Sequence, residues 1–168
     1  MSRAVLVQLA MTSIHRVRRW GWRHFKSHGP GVQAIVWTER QTVVLVRHTY
    51  MPGWHLPGGG RKRRETPLQA VVRELEEEIG LRSWHTIRHL EDVTETSGNR
   101  THHIGVFSLT GVDYLPRRSL EIAAVGEFEP ARLPADAGRA RRRLAQWFAQ
   151  GVEPAQPTSI GSDEKAEM

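Results

Sequence analysis

Cysteine is absent from all 168 residues of the chain. Its absence excludes a disulfide scaffold, a cysteine-containing zinc site and a cysteine nucleophile. It also fits a reducing compartment, so the expected location is the cytoplasm. Long hydrophobic runs are missing as well, since no apolar stretch approaches the roughly 18 residues that a membrane span needs. The longest one near the start, Ala4 to Met11, is interrupted by Gln8 and followed by Arg16, Arg18 and Arg19. A secretory signal carries its positive charge before the apolar segment, so this order does not match one. Acid is scarce early on: residues 1–64 hold twelve Lys/Arg and a single acid, Glu39.

What is there is the composition of one globular domain, with 39% hydrophobic and 25% charged residues. The formal charge of +6 hides a division along the chain. Residues 65–168 reverse the early excess, with seventeen acids against twelve Lys/Arg. Five of those acids fall between Glu65 and Glu78, directly after the basic run Arg61-Lys62-Arg63-Arg64. Acid that dense repels itself unless a cation sits on it. A solvated helix face is the plain reading, and a divalent metal site beside a polyanionic substrate is the sharp one.

Residues 4–26 read as a helix, with Leu6, Leu9, Val17 and Trp20 along one side and arginines along the other. Residues 1–29 are therefore expected to be a basic N-terminal helix packed on the domain or extending it. Contact of Trp20, Trp22 and Phe25 with membrane or nucleic acid is the lesser alternative. The domain itself is expected over 30–151. Strand-like runs cover Val32 to Trp37, Thr42 to His48, Trp84 to Thr96, His103 to Leu109 and Glu121 to Phe128. Two prolines and four glycines make Met51 to Gly60 a loop, and Ser97-Gly98-Asn99 a turn. Helices are expected over Pro67 to Ile79 and over Ala135 to Gln150, the latter with Ala140, Leu144, Trp147 and Phe148 on one face. Residues 152–168 read as a disordered tail. Mixed strands between helices imply a layered α/β domain.

The helix after Glu65 is the most sharply specified element. Thr66 is placed to cap it, Pro67 occupies its first position, Gln69 completes a capping box and Gly80 stops it. At 100° per residue, Leu68, Val71, Val72, Leu75 and Ile79 form a core face. Glu74, Glu77 and Glu78 share one flank of that face, while Glu76 lies on the other side. Like charges at this spacing destabilise a bare helix. Hard divalent cations accept such oxygens together with waters and substrate phosphates. The preceding glycines let backbone approach a bound ion without a side chain in the way.

The order Gly59, five residues, Glu65, seven residues, Arg73-Glu74-Leu75, one residue, Glu77-Glu78, one residue, Gly80-Leu81 resembles the Nudix box at every defined position. Seven fixed residue types make a chance match on the order of one in a million or rarer. The approach Val43 to Gly60, VVLVRHTYMPGWHLPGGG, and the later Glu121 to Pro134, EIAAVGEFEPARLP, also look like parts of MutT-type Nudix hydrolases. The resemblance implies a Nudix α/β/α sandwich with a mixed sheet, and hydrolysis of a nucleoside diphosphate linked to another group. It implies Mg²⁺ or Mn²⁺ held by Glu74, Glu77, Glu78 and the carbonyl of Gly58, with Gly59, Glu65 and Arg73 supporting the box. Glu74 or Glu77 is expected to act as the base, and a late glutamate to join the site. The Gly-Glu-aromatic pattern matches Glu127 to that role, with Glu121 as the alternative. Where the family often has glycine, this chain has Arg64. Arg61, Lys62, Arg63 and Arg64 are a solvated loop or attract substrate phosphates. His48 and His55 are not expected to be ligands, and Trp54 is expected to be a structural aromatic, with stacking on a base as the lesser alternative.

The expected partner is a small diphosphate, with capped RNA or a non-nucleotide diphosphate as alternatives and a homodimer left open. A non-catalytic Nudix binding module is the reading from another class. The intact set of carboxylates argues against it.

Overall fold

The computed structural model describes residues 29–97, 100–116 and 119–151. The basic helix expected at the N-terminus, the Gly98-Asn99 turn and the tail from Val152 lie outside the described residues. The strands are β1 (Gly31–Val36), β2 (Val43–His48), β3 (Gly58–Gly60), β4 (Leu81–Ser83), β5 (Thr86–Ser97), β6 (Arg100–Thr110), β7 (Asp113–Tyr114) and β8 (Ile122–Phe128). The helices are α1 (Pro67–Glu78) and α2 (Gly138–Ala149), with a 3₁₀ turn at Pro130–Arg132.

One sheet runs β3-β1-β6-β5, and two-stranded ribbons pair β2 with β8 and β4 with β7. Strand β1 pairs parallel with β6, Gly31 facing Ile104 and Val36 facing Leu109, and antiparallel with β3. The remaining pairs are antiparallel, so the sheet is mixed.

Strand alternation sorts the core into two halves. Val32, Ala34 and Val36 of β1 and Val44 and Val46 of β2 join Val71, Leu75 and Ile79 of α1. Ile35, Trp37, Val43 and Leu45 point the other way, to Ala140, Leu144 and Trp147 of α2. A helix covers each face, which is why β2 reads as a nearly unbroken apolar run. This is the α/β/α layering that the sequence implied.

The short strands β4 and β7 were not expected and α2 starts at Gly138 instead of Ala135, and three further differences bear on the packing. Gly58–Gly60 is a strand and not part of the loop, because its partner β1 is distant in sequence. Phe148 of α2 is exposed beside buried Trp147, its ring tilted against Trp37 at 5.9 Å. Finally, Leu68 is 47% exposed, while Ala70, Val71, Glu74, Leu75 and Glu78 are the buried residues of α1. The buried arc has rolled toward the carboxylates. Glycine β3 makes this possible, since a Cβ at Gly59 would meet the Glu74 carboxyl at 2.6 Å.

Candidate active site

Local sequence fixes α1 at both ends. Thr66 Oγ1 accepts from the Gln69 amide at 3.1 Å, and Gln69 Oε1 accepts from the Thr66 amide at 2.9 Å. At the other end Gly80 takes a φ of +72°, and its carbonyl accepts from the Leu115 amide at 3.0 Å. Between them Glu74 and Glu78 are only 4% and 5% exposed, whereas Glu77 and Glu76 face solvent. Glu78 Oε2 accepts from the Gly58 amide at 2.8 Å, which ties the strip to β3.

Arg73 is the hub of the box. It donates to both Glu65 oxygens, at 2.7 and 3.0 Å, to Glu74 Oε1 at 2.7 Å and to the Gly60 carbonyl at 3.0 Å. Glu65 Oε2 also accepts from the Lys62 amide at 2.8 Å, so one guanidinium and one carboxylate knit loop, strand and helix together. Arg73 holds the Glu65 carboxyl below its ordinary range. Glu74 goes the other way: burial raises it to about 7, against the pull of Arg73 and with further push from Glu77 and Glu121. Complete burial drives Glu78 well above the usual carboxylate range, with Glu74, Glu121 and Glu77 adding to it.

Of the two late glutamates, Glu121 is the one whose charge acts on Glu74 and Glu78. Burial raises its carboxyl, the bond from Tyr50 lowers it, and Glu77 raises it again. Glu127, matched by its sequence pattern, sits in a different cluster. It accepts from Tyr114 at 2.6 Å, from Thr42 at 3.2 Å and from Arg40. Burial pushes Glu127 up, but those three donors leave it below its ordinary value.

Two further neighbours stand beside the strip, His48, not expected to be a ligand, and Tyr50, which the sequence reading did not single out. His48 is 4% exposed with Nε2 at 3.6 Å from Glu78 Oε1. Burial, with His55 nearby, lowers it to about 4, so at neutral pH this is a neutral imidazole against a carboxyl and not an ion pair. Tyr50 donates to Glu121 Oε1 at 3.0 Å. The signal was available: Val44, Val46, His48 and Tyr50 continue one period of two toward the α1 face.

The basic run is split by the fold. Lys62 Nζ reaches Glu77 at 4.0 Å, while the side chains of Arg63 and Arg64 are exposed and that of Arg61 is half-buried. Trp54 packs edge-on against Phe128 at 4.9 Å with the Arg47 guanidinium 4.9 Å from its ring centre. On the other side of β3 a cavity of about 320 Å³ opens, floored by Gly31, Gln33 and Ile104 and walled by Arg139 and Arg143 of α2.

The donors fit a hard cation in kind. Four carboxylates repel one another, and Gly59 leaves a cradle at Glu74 that a Cβ would fill. Among the described residues no three such side chains already stand as a finished ligand set. Arg73 and the Gly58 amide each engage one oxygen, of Glu74 and of Glu78.

The chain is similar in sequence and in fold to known hydrolases. The chain is 42% identical over 52 residues to an RNA pyrophosphohydrolase from Marinomonas sp., covering 31% of this chain and 32% of that one. It is 38% identical over 88 residues to a CMP-5'-(N-acetyl-N-hydroxy-3-aminopropyl)phosphonate hydrolase from Streptomyces rubellomurinus, covering 48% and 42%. These alignments span less than half the length of the curated relatives. In fold the chain is similar to a MutT NUDIX hydrolase from Burkholderia pseudomallei, with a TM-score of 0.62, 24% identity and coverage of 70% of this chain and 95% of that one. A NUDIX hydrolase from Nitrosomonas europaea is similar at a TM-score of 0.61, with 18% identity and coverage of 75% and 91%. The NUDIX domain model matches residues 27–148, which contain the box, helix α1, all but the last residue of α2 and the carboxylates of the site, and the chain therefore belongs to the Nudix family.

Proposed function

We propose that the chain is a divalent-metal-dependent pyrophosphohydrolase that cleaves a nucleoside diphosphate linked to another group by water attack on phosphorus. The observation that carries this reading is the packing of buried Glu74 and Glu78 against the glycine strand β3, with Glu77 and Glu121 close enough for their charges to act on both. Glu77, Glu78, Glu121 and the Gly58 carbonyl would hold Mg²⁺ or Mn²⁺. When bound, the ion supplies neutralisation of phosphoryl charge and acidification of water. Glu74, raised to about 7, is suited to take the water's proton near neutral pH. Arg73 keeps Glu74 in place, and Glu65 keeps Arg73 in place. Glu127 is left out of the reaction and given the task of joining β8 to β7 and the start of β2. The 320 Å³ cavity beyond β3 is of a size to take the nucleoside part of a substrate.

A second reading, an RNA bearing a 5′ polyphosphate, is favoured by the exposed Arg63 and Arg64 and by relatives named RNA pyrophosphohydrolase.

The test is a panel of nucleoside diphosphate derivatives, nucleoside triphosphates, a non-nucleotide diphosphate and a 5′-triphosphorylated RNA. Each is assayed in EDTA and with Mg²⁺ or Mn²⁺. Turnover should vanish in chelator and return with metal. Glu78→Gln should lower kcat at least about a hundredfold, the scale of losing one electrostatic stabiliser, while exposed Glu76→Gln costs little. Full turnover in EDTA, or equal losses at the two positions, sinks the mechanism. No turnover on the panel leaves a binding module.

A further inference from the structure

Directly after β2, two consecutive residues grip the segment that carries Glu121. The Thr49 amide donates to the Glu121 carbonyl at 2.8 Å, and Thr49 Oγ1 donates to the Leu120 carbonyl at 2.9 Å. The Tyr50 hydroxyl then reaches the side chain itself, donating to Glu121 Oε1 at 3.0 Å. The Tyr50 ring rests against His48, with centroids 5.1 Å apart, so the hydroxyl is held on a braced ring and not on a free arm.

Glu121 needs such a grip. Among the described residues it makes no salt bridge, and its charge faces those of Glu77, Glu74 and Glu78. It is half-exposed, so its side chain has room to turn away from like charge into water. A hydrogen bond to an ionised group is among the stronger ones a neutral donor makes.

We infer that Tyr50 is a positioning residue: by occupying one oxygen of Glu121 it keeps the other turned toward the ion held by Glu77 and Glu78. This rests on the reading above that Glu121 belongs to the metal site.

The experiment uses the full chain and Mn²⁺ alone as the probe, titrated calorimetrically, with turnover as a second readout. Tyr50→Phe keeps the ring on His48 and removes only the hydroxyl, and Tyr50→Met is the reserve variant without one. Both should weaken Mn²⁺ about tenfold or more, the scale of one hydrogen bond to a charged group. In a cleavage assay kcat should fall by a similar factor, with KM within about twofold and melting temperature little changed. Thr49→Val breaks the neighbouring bond to Leu120 without touching the Glu121 side chain, and should bind Mn²⁺ as the parent does. In a Glu121→Gln background, Tyr50→Phe should add no further loss, because coupled residues are not additive. Parent-like Mn²⁺ affinity in Tyr50→Phe overturns the inference. So does a loss that persists undiminished with Gln at position 121. Parent-like Mn²⁺ affinity in Glu121→Gln removes Glu121 from the site and takes the inference with it. If no substrate is turned over while Mn²⁺ binding still follows Tyr50, the hydrolase reading alone fails.

Discussion

Arg64 has a φ of +72°, in the left-handed region that costs a side-chain-bearing residue about 1 kcal/mol. It closes the turn in which the Glu65 amide donates to the Lys62 carbonyl at 3.1 Å, the approach that delivers Glu65 to Arg73. The backbone thus explains why the family so often has glycine here, and it makes the arginine a substitution held against conformational cost. Arg64→Gly should raise stability by about 0.5 kcal/mol, the relief being partly offset by the greater freedom of an unfolded glycine. Thermal melting checks it, with Arg63→Ala as a control that leaves the midpoint unchanged. A lower midpoint for Arg64→Gly would mean that the arginine side chain holds the turn. If instead its charge gathers phosphates, the same variant raises KM at low salt and leaves kcat alone, and added salt removes the difference. Residue scale is also where sequence reading stopped short. Glu121 and Glu127 are both late glutamates, and nothing local separates them. What separates them is which neighbours the β2–β8 register brings up: Tyr50 for one, and Arg40, Thr42 and Tyr114 for the other.

At the scale of elements, the site depends on one helix lying unusually close to one strand. Gly59 and Gly58 test this closeness in different ways. A Cβ at Gly59 would meet only the tip of Glu74, at 2.6 Å, so the carboxyl and not the backbone must move. Gly59→Ala is expected to fold, to lose roughly 1 kcal/mol of stability, and to lose activity about a hundredfold because Glu74 is displaced. Gly58 has a φ of +145°, and a Cβ there would lie 2.2 Å from the Val32 carbonyl oxygen. Gly58→Ala should therefore cost several kcal/mol of stability and fail as a folded protein before it fails as an enzyme. Melting curves and turnover for the pair separate the two outcomes; a fully active Gly59→Ala would show that Glu74 is not needed where it stands. Helix α1 was legible almost to the residue, because its cap, its proline and its stop are local signals. Strand β3 was not legible, since three glycines carry no period and the strand exists only through β1. The roll of α1 that buries Glu74 and Glu78 and exposes Leu68 follows from that unseen pairing. For the same reason the ties of α2 to β5, Arg143 to Glu95 and Trp147 to Glu91, could not be read from either segment alone.

For the molecule as a whole, the site is a store of unfavourable charge that folding creates and a cation can relieve. Glu74 is raised from 4.5 to about 7, and Glu78 and Glu121 are raised as well. A carboxyl raised by folding contributes stability while it is protonated in the native state. That contribution is present below its ordinary value and is lost as pH rises through the folded value. His48 works in the opposite direction. It is lowered from 6.5 to about 4, so the native state gains stability from it as pH rises across that interval, and His55 is lowered in the same sense. The two trends oppose each other between about pH 4.5 and 6.5. Above 6.5 the histidines are neutral in both states and only the carboxylates still titrate. The metal-free protein should therefore lose stability as pH rises above about 6.5 and Glu74 passes through its folded value near 7. A divalent cation that binds only the folded state reverses the loss, and does so most where the carboxylates are ionised. The rise in melting temperature given by millimolar Mg²⁺ or Mn²⁺ should accordingly be larger at pH 8 than at pH 6. Glu78→Gln, which removes one of the charges, should shrink both the alkaline loss and the metal-induced gain. Melting curves in EDTA and in metal at the two pH values decide the matter. A metal-free midpoint that holds steady to pH 8.5, or a metal shift of the same size at both pH values, would mean that the buried carboxylates are not the groups the ion neutralises.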